Sequence, residues 1–191
     1  MVKQFMTEKI KLSKVALKKH LATKTKEVLI DEIASFMSLE AVEQFYLMQI
    51  YPQSEAEIAE QQKAIIRHEF FPQRGFAQLR YSAAKKAISN FKKTAVTPLL
   101  VADLMLFYVE MGVSFTQQYG DIDEAFYMSI ESMYEKALKY AFLHKLEHDL
   151  QGRFKKAVTD TVDIGWGFHD TLEDYYSEAF ENNLNSPCSS A

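Results

Sequence analysis

Apolar side chains recur every three or four residues along most of the chain, which is the period of an amphipathic helix. One clear run has Val28, Leu29, Ile33 and Phe36 at this spacing, after Thr25 as a predicted N-cap. No segment alternates polar and apolar residues for long enough to need a strand. The pattern predicts an all-α fold of about eight or nine helices, either a multi-helix bundle or a short stack of antiparallel helical hairpins.

The predicted helices cover residues 13–21, 25–38, 40–50, 54–70, 82–93, 98–118, 121–143, 145–162 and 170–181. Besides Thr25, four of these starts carry capping signals, in which a side-chain oxygen accepts a free backbone N–H. They are Ser54 with Glu57, Thr97 before Pro98, Asp121 with Glu124, and Asp170 with Glu173. The helix over 98–118 is apolar nearly all round, so we expect it to be the most buried element.

The length of 191 residues suits a single domain. We predict one all-helical domain over 1–181, in which 13–38 forms a semi-independent N-terminal helix pair. The polar residues 182–191 are predicted to be a disordered tail.

Neither a membrane span nor a secretory leader is predicted. The most apolar stretch, Leu99 to Phe115, is interrupted by Asp103 and Glu110. It is also shorter than the roughly 20 residues that a bilayer requires. Cys188 is the single cysteine, so no intrachain disulfide can form. These features favour a cytoplasmic protein.

Charge is distributed unevenly. Residues 1–26 hold eight lysines and one acid, whereas residues 103–135 hold seven acids and no lysine or arginine. One interpretation is that these are ordinary solvated surfaces, or that they attract each other within the molecule. The other is that the N-terminal helices bind nucleic acid. The lysines that would make that contact are Lys14, Lys18, Lys19, Lys24 and Lys26.

Two loops have the composition of a binding site. Gly165 and Gly167 flank Trp166, the only tryptophan, just before His169 and Asp170. The glycines would let backbone N–H groups approach a ligand that stacks on the indole, with the histidine and aspartate as an acid–base pair. The favoured alternative is a tight turn, in which the tryptophan fills the core and the aspartate caps the last helix.

The other loop, 119–124, contains Asp121, Asp123 and Glu124. Helix capping accounts for two of these acids, and the twelve-residue spacing of a calcium loop is missing. His144 and His148 lie one helical turn apart but lack a third zinc ligand and the His-Glu-x-x-His order. We therefore predict no metal, no cofactor and no catalytic set.

Several runs resemble a family of small bacterial proteins known only as a domain of unknown function. They include Ser82-Ala-Ala-Lys-Lys-Ala-Ile-Ser-Asn-Phe-Lys, Tyr119-Gly-Asp-Ile-Asp-Glu and Gly165-Trp-Gly-Phe-His-Asp. The resemblance spans about residues 10–180 and implies an all-helical bacterial protein, with no activity to carry over. Residues 12–37 also resemble the two-helix SAP-type DNA-binding module, but lack its glycine turn.

We predict a non-enzymatic helical module that binds a protein partner, because the chain is rich in aromatic and methionine side chains and has no catalytic signature. Nucleic-acid association is one alternative. A small-ligand or hydrolytic site near Trp166, His169 and Asp170 is another. The candidate surface consists of Asp121, Asp123, Glu124, Trp166, His169 and Asp170.

Overall fold

The computed structural model describes residues 11–181, which contain nine α-helices and no strand. The all-α prediction is therefore confirmed for this part of the chain, and the predicted tail at 182–191 lies outside it. The helices are α1 Lys14–Leu21, α2 Lys26–Ser35, α3 Glu40–Ile50, α4 Ser54–Phe70, α5 Tyr81–Thr94, α6 Pro98–Tyr119, α7 Glu124–Leu143, α8 Glu147–Thr159 and α9 Phe168–Phe180.

The chain divides into two compact units within α3, between Gln44 and Phe45. In the N-terminal unit, the hydroxyls of Ser13 and Thr25 cap α1 and α2 as N-cap acceptors. Neither helix buries a side chain. After α2 the chain tightens into a 3-10 turn at Phe36–Ser38, so the predicted helix over 25–38 ends earlier than expected.

Helix α6 is the centre of the C-terminal unit. It packs against α4, α5, α7 and α8, and it buries Leu104, Leu106, Tyr108 and Val109 completely. By length and composition α6 is the one helix within residues 11–181 that could cross a bilayer. Most of α6 is buried inside the bundle, as is usual for the core helix of a soluble protein. This confirms the prediction that the helix over 98–118 is the most buried element.

Helix α6 packs tightly against α7 at Gly112. A Cβ placed on this glycine would lie 2.4 Å from Cδ1 and 2.7 Å from Cγ1 of Ile130. No side chain fits in that space without moving Ile130. The absence of a side chain at residue 112 thus lets the two longest helices pack together.

A buried carboxylate ties the start of α4 to the start of α6. Glu55 accepts hydrogen bonds from the backbone N–H groups of Val96 and Thr97, at 2.6 and 2.8 Å, and from the Thr97 hydroxyl at 2.7 Å. The predicted capping box of Ser54 and Glu57 is wrong. The Ser54 hydroxyl instead donates to the Tyr51 carbonyl, because α4 already begins at residue 54. Thr97 does occupy the N-cap position of α6, but its hydroxyl donates to Glu55 and does not cap the helix.

Ion pairs fix other helices of the bundle. The guanidinium of Arg153 on α8 bonds Glu110 through Nε and Nη2, at 2.8 and 2.9 Å, and also bonds Asp103. The hydrogen bonds and charges of both acids raise the pKa of Arg153, although its burial acts in the opposite direction. Lys63 on α4 completes the group through Asp103, at 2.7 Å. Two acids of the 103–135 run therefore join helices, so they are not free surface charge.

Three loops of the C-terminal unit lie at the same end of the bundle. Phe71, just after α4, contacts Phe115 and Tyr119 near the end of α6, with ring centroids 5.7 and 6.4 Å apart. The loop that follows α6 in turn lies beside the loop between α8 and α9, since Asp121, Asp163 and Ile164 line one cleft. We call this region the three-loop end, formed by residues 71–80, 120–123 and 160–167.

Candidate functional site

The two loops that the sequence singled out meet at the three-loop end. A Cβ built on Gly165 would lie 3.8 Å from Oδ1 and 3.9 Å from Oδ2 of Asp121, so the carboxylate lies close to the glycine. The sequence could not decide whether loops 119–124 and 165–170 form one surface. The fold places them in contact.

The buried phenol of Tyr127 on α7 holds the 120–122 segment in place. Its hydroxyl lies 2.9 Å from the hydroxyl of Thr116, which itself donates to the Gly120 carbonyl. The backbone N–H of Ile122 donates to the same phenol oxygen, and the phenol also reaches Asp121, both at 3.4 Å. This network fixes Asp121 on a rigid support, although the carboxylate itself is exposed.

Trp166 lies on the outside of the bundle, so the prediction that it fills the core is wrong. Its side chain is 61% exposed and stacks on Tyr127, with 6.2 Å between ring centroids and 25° between planes. Trp166 and Gly167 both have left-handed backbone conformations, with φ of 64° and 68°. This turn directs the indole outward and gives the inner position to Phe168, which is fully buried.

A left-handed conformation is rare for a bulky residue such as tryptophan and costs about 1–2 kcal/mol. The strain at Trp166 is tolerated because Gly167 and the buried Phe168 define the turn on one side. Backbone strain of this kind concentrates at functional positions. The fold therefore holds the only tryptophan on the surface even though its backbone conformation is locally unfavourable.

An open cleft of about 460 Å³ lies between the end of α6 and the end of α8, and its lining reaches Ile164, two residues before Trp166. Three aspartates line it, and no lysine or arginine does. Asp160 is paired with Lys156 at 2.5 Å, whereas Asp121 and Asp163 have no ion pair within residues 11–181. The full lining is Thr116, Gln117, Gly120, Asp121, Thr159, Asp160, Val162, Asp163 and Ile164. The electrostatics of this cleft favour a cation.

The caps of α7 and α9 differ from the predicted ones. Asp123, not Asp121, caps α7 by accepting the Phe126 N–H at 2.7 Å, which leaves Glu124 exposed in the first turn. The last helix begins at Phe168, two residues earlier than predicted, with Gly167 in the N-cap position. Asp170 therefore lies inside the first turn, exposed, and is not the N-cap. The left-handed turn at Trp166 and Gly167 moved the start of the helix.

His169 is half-buried and faces the end of α8. Its Nδ1 lies 3.2 Å from the Val158 carbonyl and 3.1 Å from the Thr161 hydroxyl. The Thr161 hydroxyl already donates to the same carbonyl, so both oxygens act as acceptors and Nδ1 carries the proton. The histidine thus joins α9 to α8. The acid–base pairing of His169 with Asp170 remains a prediction.

The basic candidate residues are all in the N-terminal unit. Lys14, Lys18 and Lys19 are exposed on α1, which contains no acid. Lys24 instead forms an ion pair with Glu32 of α2. Lys26 is exposed at the start of that helix. No lysine of this group other than Lys24 has an ion pair in the described part of the chain.

The structure brings no metal-ligating group together within residues 11–181, where no cluster of three or more histidine, cysteine or carboxylate side chains exists. His144 and His148 are both exposed, and the ring of His144 packs against Tyr140.

Sequence reasoning missed Asp160, Asp163 and Tyr127, which complete this surface. One signal was available, because residues 157–181 contain seven acids and no lysine or arginine. This segment resembles residues 103–135, which also hold seven acids and no lysine or arginine. The fold brings one loop from each segment together.

Residues 12–181 match the model of the Family of unknown function (DUF6155). No curated protein and no solved structure matches the chain.

Proposed function

Because this chain belongs to the DUF6155 family, whose function is unknown, we propose a function from its own surface: a non-enzymatic helical module that binds a protein partner. The binding surface is the Trp166 surface, formed by Trp166, the cleft beside it and the acids Asp121, Asp123, Glu124 and Asp163. The partner presents a basic segment. We also propose that the protein acts in the cytoplasm.

The exposed indole is the observation that carries this proposal. Tryptophan is enriched among the few residues that dominate the free energy of protein binding, because a large rigid ring is buried at little entropic cost. Trp166 has one face on Tyr127 and the rest exposed, so a partner would find it already positioned. A ring that served only packing would occupy the buried position of Phe168.

Charge supports a basic partner. The cleft is lined by Asp121, Asp160 and Asp163, while cations are missing from both chain segments that form it, 103–135 and 157–181. A lysine or arginine of the partner would gain from the carboxylates and, when placed over the free face of Trp166, from a cation–π contact of about 0.5–2 kcal/mol. Complementary charge of this kind raises the association rate and excludes acidic partners.

The experiment uses the full chain as immobilised bait, with Trp166→Ala and Asp163→Lys as test variants. Leu143→Ala is the matched control, since Leu143 is an exposed apolar residue at the end of α7, distant in sequence from both loops. A specific partner should be retained by the wild type and by the control, lost with both test variants, and released as salt rises. Retention by Trp166→Ala at wild-type strength would overturn the proposal.

A second candidate function is nucleic-acid association through α1. It is favoured by one observation: Lys14, Lys18 and Lys19 are exposed on a helix with no acid and form no ion pair within the described residues. Such binding would depend steeply on salt. The test is fluorescence anisotropy with duplex DNA at low salt, comparing the triple lysine-to-glutamate variant of α1 with the same changes at Lys86, Lys92 and Lys93 of α5. Equal loss in both variants would indicate only a non-specific charge effect.

A further inference from the structure

A second pocket at the three-loop end has the opposite charge. It lies at the end of α4 and the start of the following loop, and its volume is about 510 Å³. Its lining is Ala64, Arg67, His68, Phe71, Gln73 and Arg74, without a single carboxylate. We call it the Arg67–Arg74 pocket.

No neighbouring acid within residues 11–181 neutralises the positive charge of Arg67 and Arg74 in this pocket. Arg67 and Arg74 form no ion pair with any residue of the described chain, whereas Arg80, six residues beyond Arg74, is held by the buried Glu69 through bonds of 3.0 and 2.8 Å. Glu69 is the acid adjacent to His68 in sequence, and its charge is already neutralised by that pair. The pocket thus keeps two permanent positive charges.

One of the two guanidinium groups is also held in place. The guanidinium carbon of Arg67 lies 5.1 Å from the ring centroid of Phe107 on α6. This cation–π contact restricts the arginine before any ligand arrives, and a preorganised guanidinium loses less entropy on binding. Arg74 lies on the loop that follows α4 and lines the same pocket.

We propose that the Arg67–Arg74 pocket binds a small phosphomonoester that carries a flat ring, such as a mononucleotide. The forked N–H donors of two arginines match the oxygens of a phosphate group. Half-buried Phe71 lines the pocket and offers an aromatic surface for the ring. The volume falls in the range of small-molecule sites.

A small ligand fits this surface better than a long polyanion does. Phe71 contacts Tyr119, which directly precedes the 120–123 loop and its acids. A nucleic-acid strand leaving the pocket in that direction would meet Asp121 and Asp123, whose charge repels phosphates. A single phosphate group confined to the pocket avoids that repulsion.

The experiment is calorimetric titration of the full chain with four probes: AMP, ribose 5-phosphate, inorganic phosphate and adenosine. We expect affinity to fall in that order, with adenosine weakest because it lacks the phosphate. Arg67→Gln and Arg74→Gln should each weaken AMP binding at least about tenfold, the loss expected for a charge-assisted bond of 1.4 kcal/mol or more. Lys86→Gln, on the exposed face of α5, should leave it unchanged.

Three results would overturn the inference. They are no heat with AMP into the millimolar range, equal binding of AMP and adenosine, and equal AMP binding by the wild type and the Arg67→Gln/Arg74→Gln double variant. The inference would also be overturned if the protein bound an oligonucleotide or a phosphopeptide but did not bind AMP. Because the Arg67–Arg74 pocket shares no lining residue with the cleft of the Trp166 surface, loss of AMP binding in the arginine variants with partner capture intact distinguishes this site from the proposed protein interface.

Discussion

The indole of Trp166 stacks on the phenol ring of Tyr127, with centroids 6.2 Å apart and planes inclined by 25°. The two residues differ in burial, since the tyrosine is almost fully buried and the tryptophan mostly exposed. Tyr127 also anchors the 120–122 segment, so a single side chain supports both the aromatic and the acidic part of the Trp166 surface. The candidate interface is therefore built on the core and does not depend on loop residues alone.

The acidic surroundings of Trp166 predict how its fluorescence is quenched. Since it is the only tryptophan, its emission can be read without interference from another. Each quenching constant is divided by the one that the same ion gives with free N-acetyltryptophanamide, because caesium and iodide differ in intrinsic efficiency. We expect this ratio to be larger for caesium than for iodide at low ionic strength, because nearby carboxylates concentrate cations. Asp163→Lys should reduce the difference between the two ratios, while neutral acrylamide should quench both proteins equally. A larger ratio for iodide than for caesium in the wild type would contradict the charge assignment of this surface.

Glu55 is expected to contribute far more stability than Glu57, its neighbour two residues along α4. Replacing Glu55 by alanine leaves the N–H groups of Val96 and Thr97 without their acceptor at the start of α6. We expect a loss of about 1.5–3 kcal/mol, the range for hydrogen bonds to a charged group. Glu57→Ala, at an exposed position, should change stability by less than about 0.5 kcal/mol. Urea unfolding followed by circular dichroism measures both, and equal losses would refute the assignment.

The Glu69–Arg80 pair predicts a loss of stability in acid. Hydrogen bonds from the Arg80 side chain lower the pKa of Glu69, against the raising effect of burial. A carboxylate with a lowered folded-state pKa stabilises the protein fully above its unfolded value of about 4.3. That stabilisation disappears as the pH falls through the lower, folded-state pKa.

Glu69→Gln should therefore be less stable than the wild type at pH 7, by about 2 kcal/mol. Its unfolding free energy should also fall less steeply than that of the wild type below about pH 4.3. Urea midpoints measured from pH 3 to 7 test both statements. Parallel curves for the two proteins would mean that Glu69 has no lowered pKa.

Gly112 and Gly152 should respond oppositely to alanine. At Gly112 the new methyl group would overlap Ile130, and overpacking costs about 1–3 kcal/mol. At Gly152 on α8 the space is open, so alanine should stabilise by up to about 1 kcal/mol through its higher helix propensity. Combining Gly112→Ala with Ile130→Val should cost less than the sum of the single changes, because the valine lacks Cδ1. Thermal unfolding of the four variants provides the measurement, and strict additivity would argue against the close approach.

The sequence by itself determined the helical fold and most of the helix positions. The spacing of apolar residues reflects which face of a helix is buried, and this is a local property of the chain. The cap of α2 by Thr25 was also predicted from the sequence, since its donor and acceptor lie within three residues. The nearly all-apolar composition of α6 identified the central helix for the same reason.

The tertiary structure alone decided where the surface residues point. Glu55 accepts a hydrogen bond from the backbone N–H of Val96, 41 residues away, a relationship that no local pattern contains. The outward position of Trp166 depends on two successive left-handed residues, a backbone conformation that is rare for a bulky side chain. Asp121 and Asp163 share one cleft because α6 and α8 end side by side. Contacts between distant segments are set by packing of the whole core, so the sequence supplied the residues of the site and the fold supplied their arrangement.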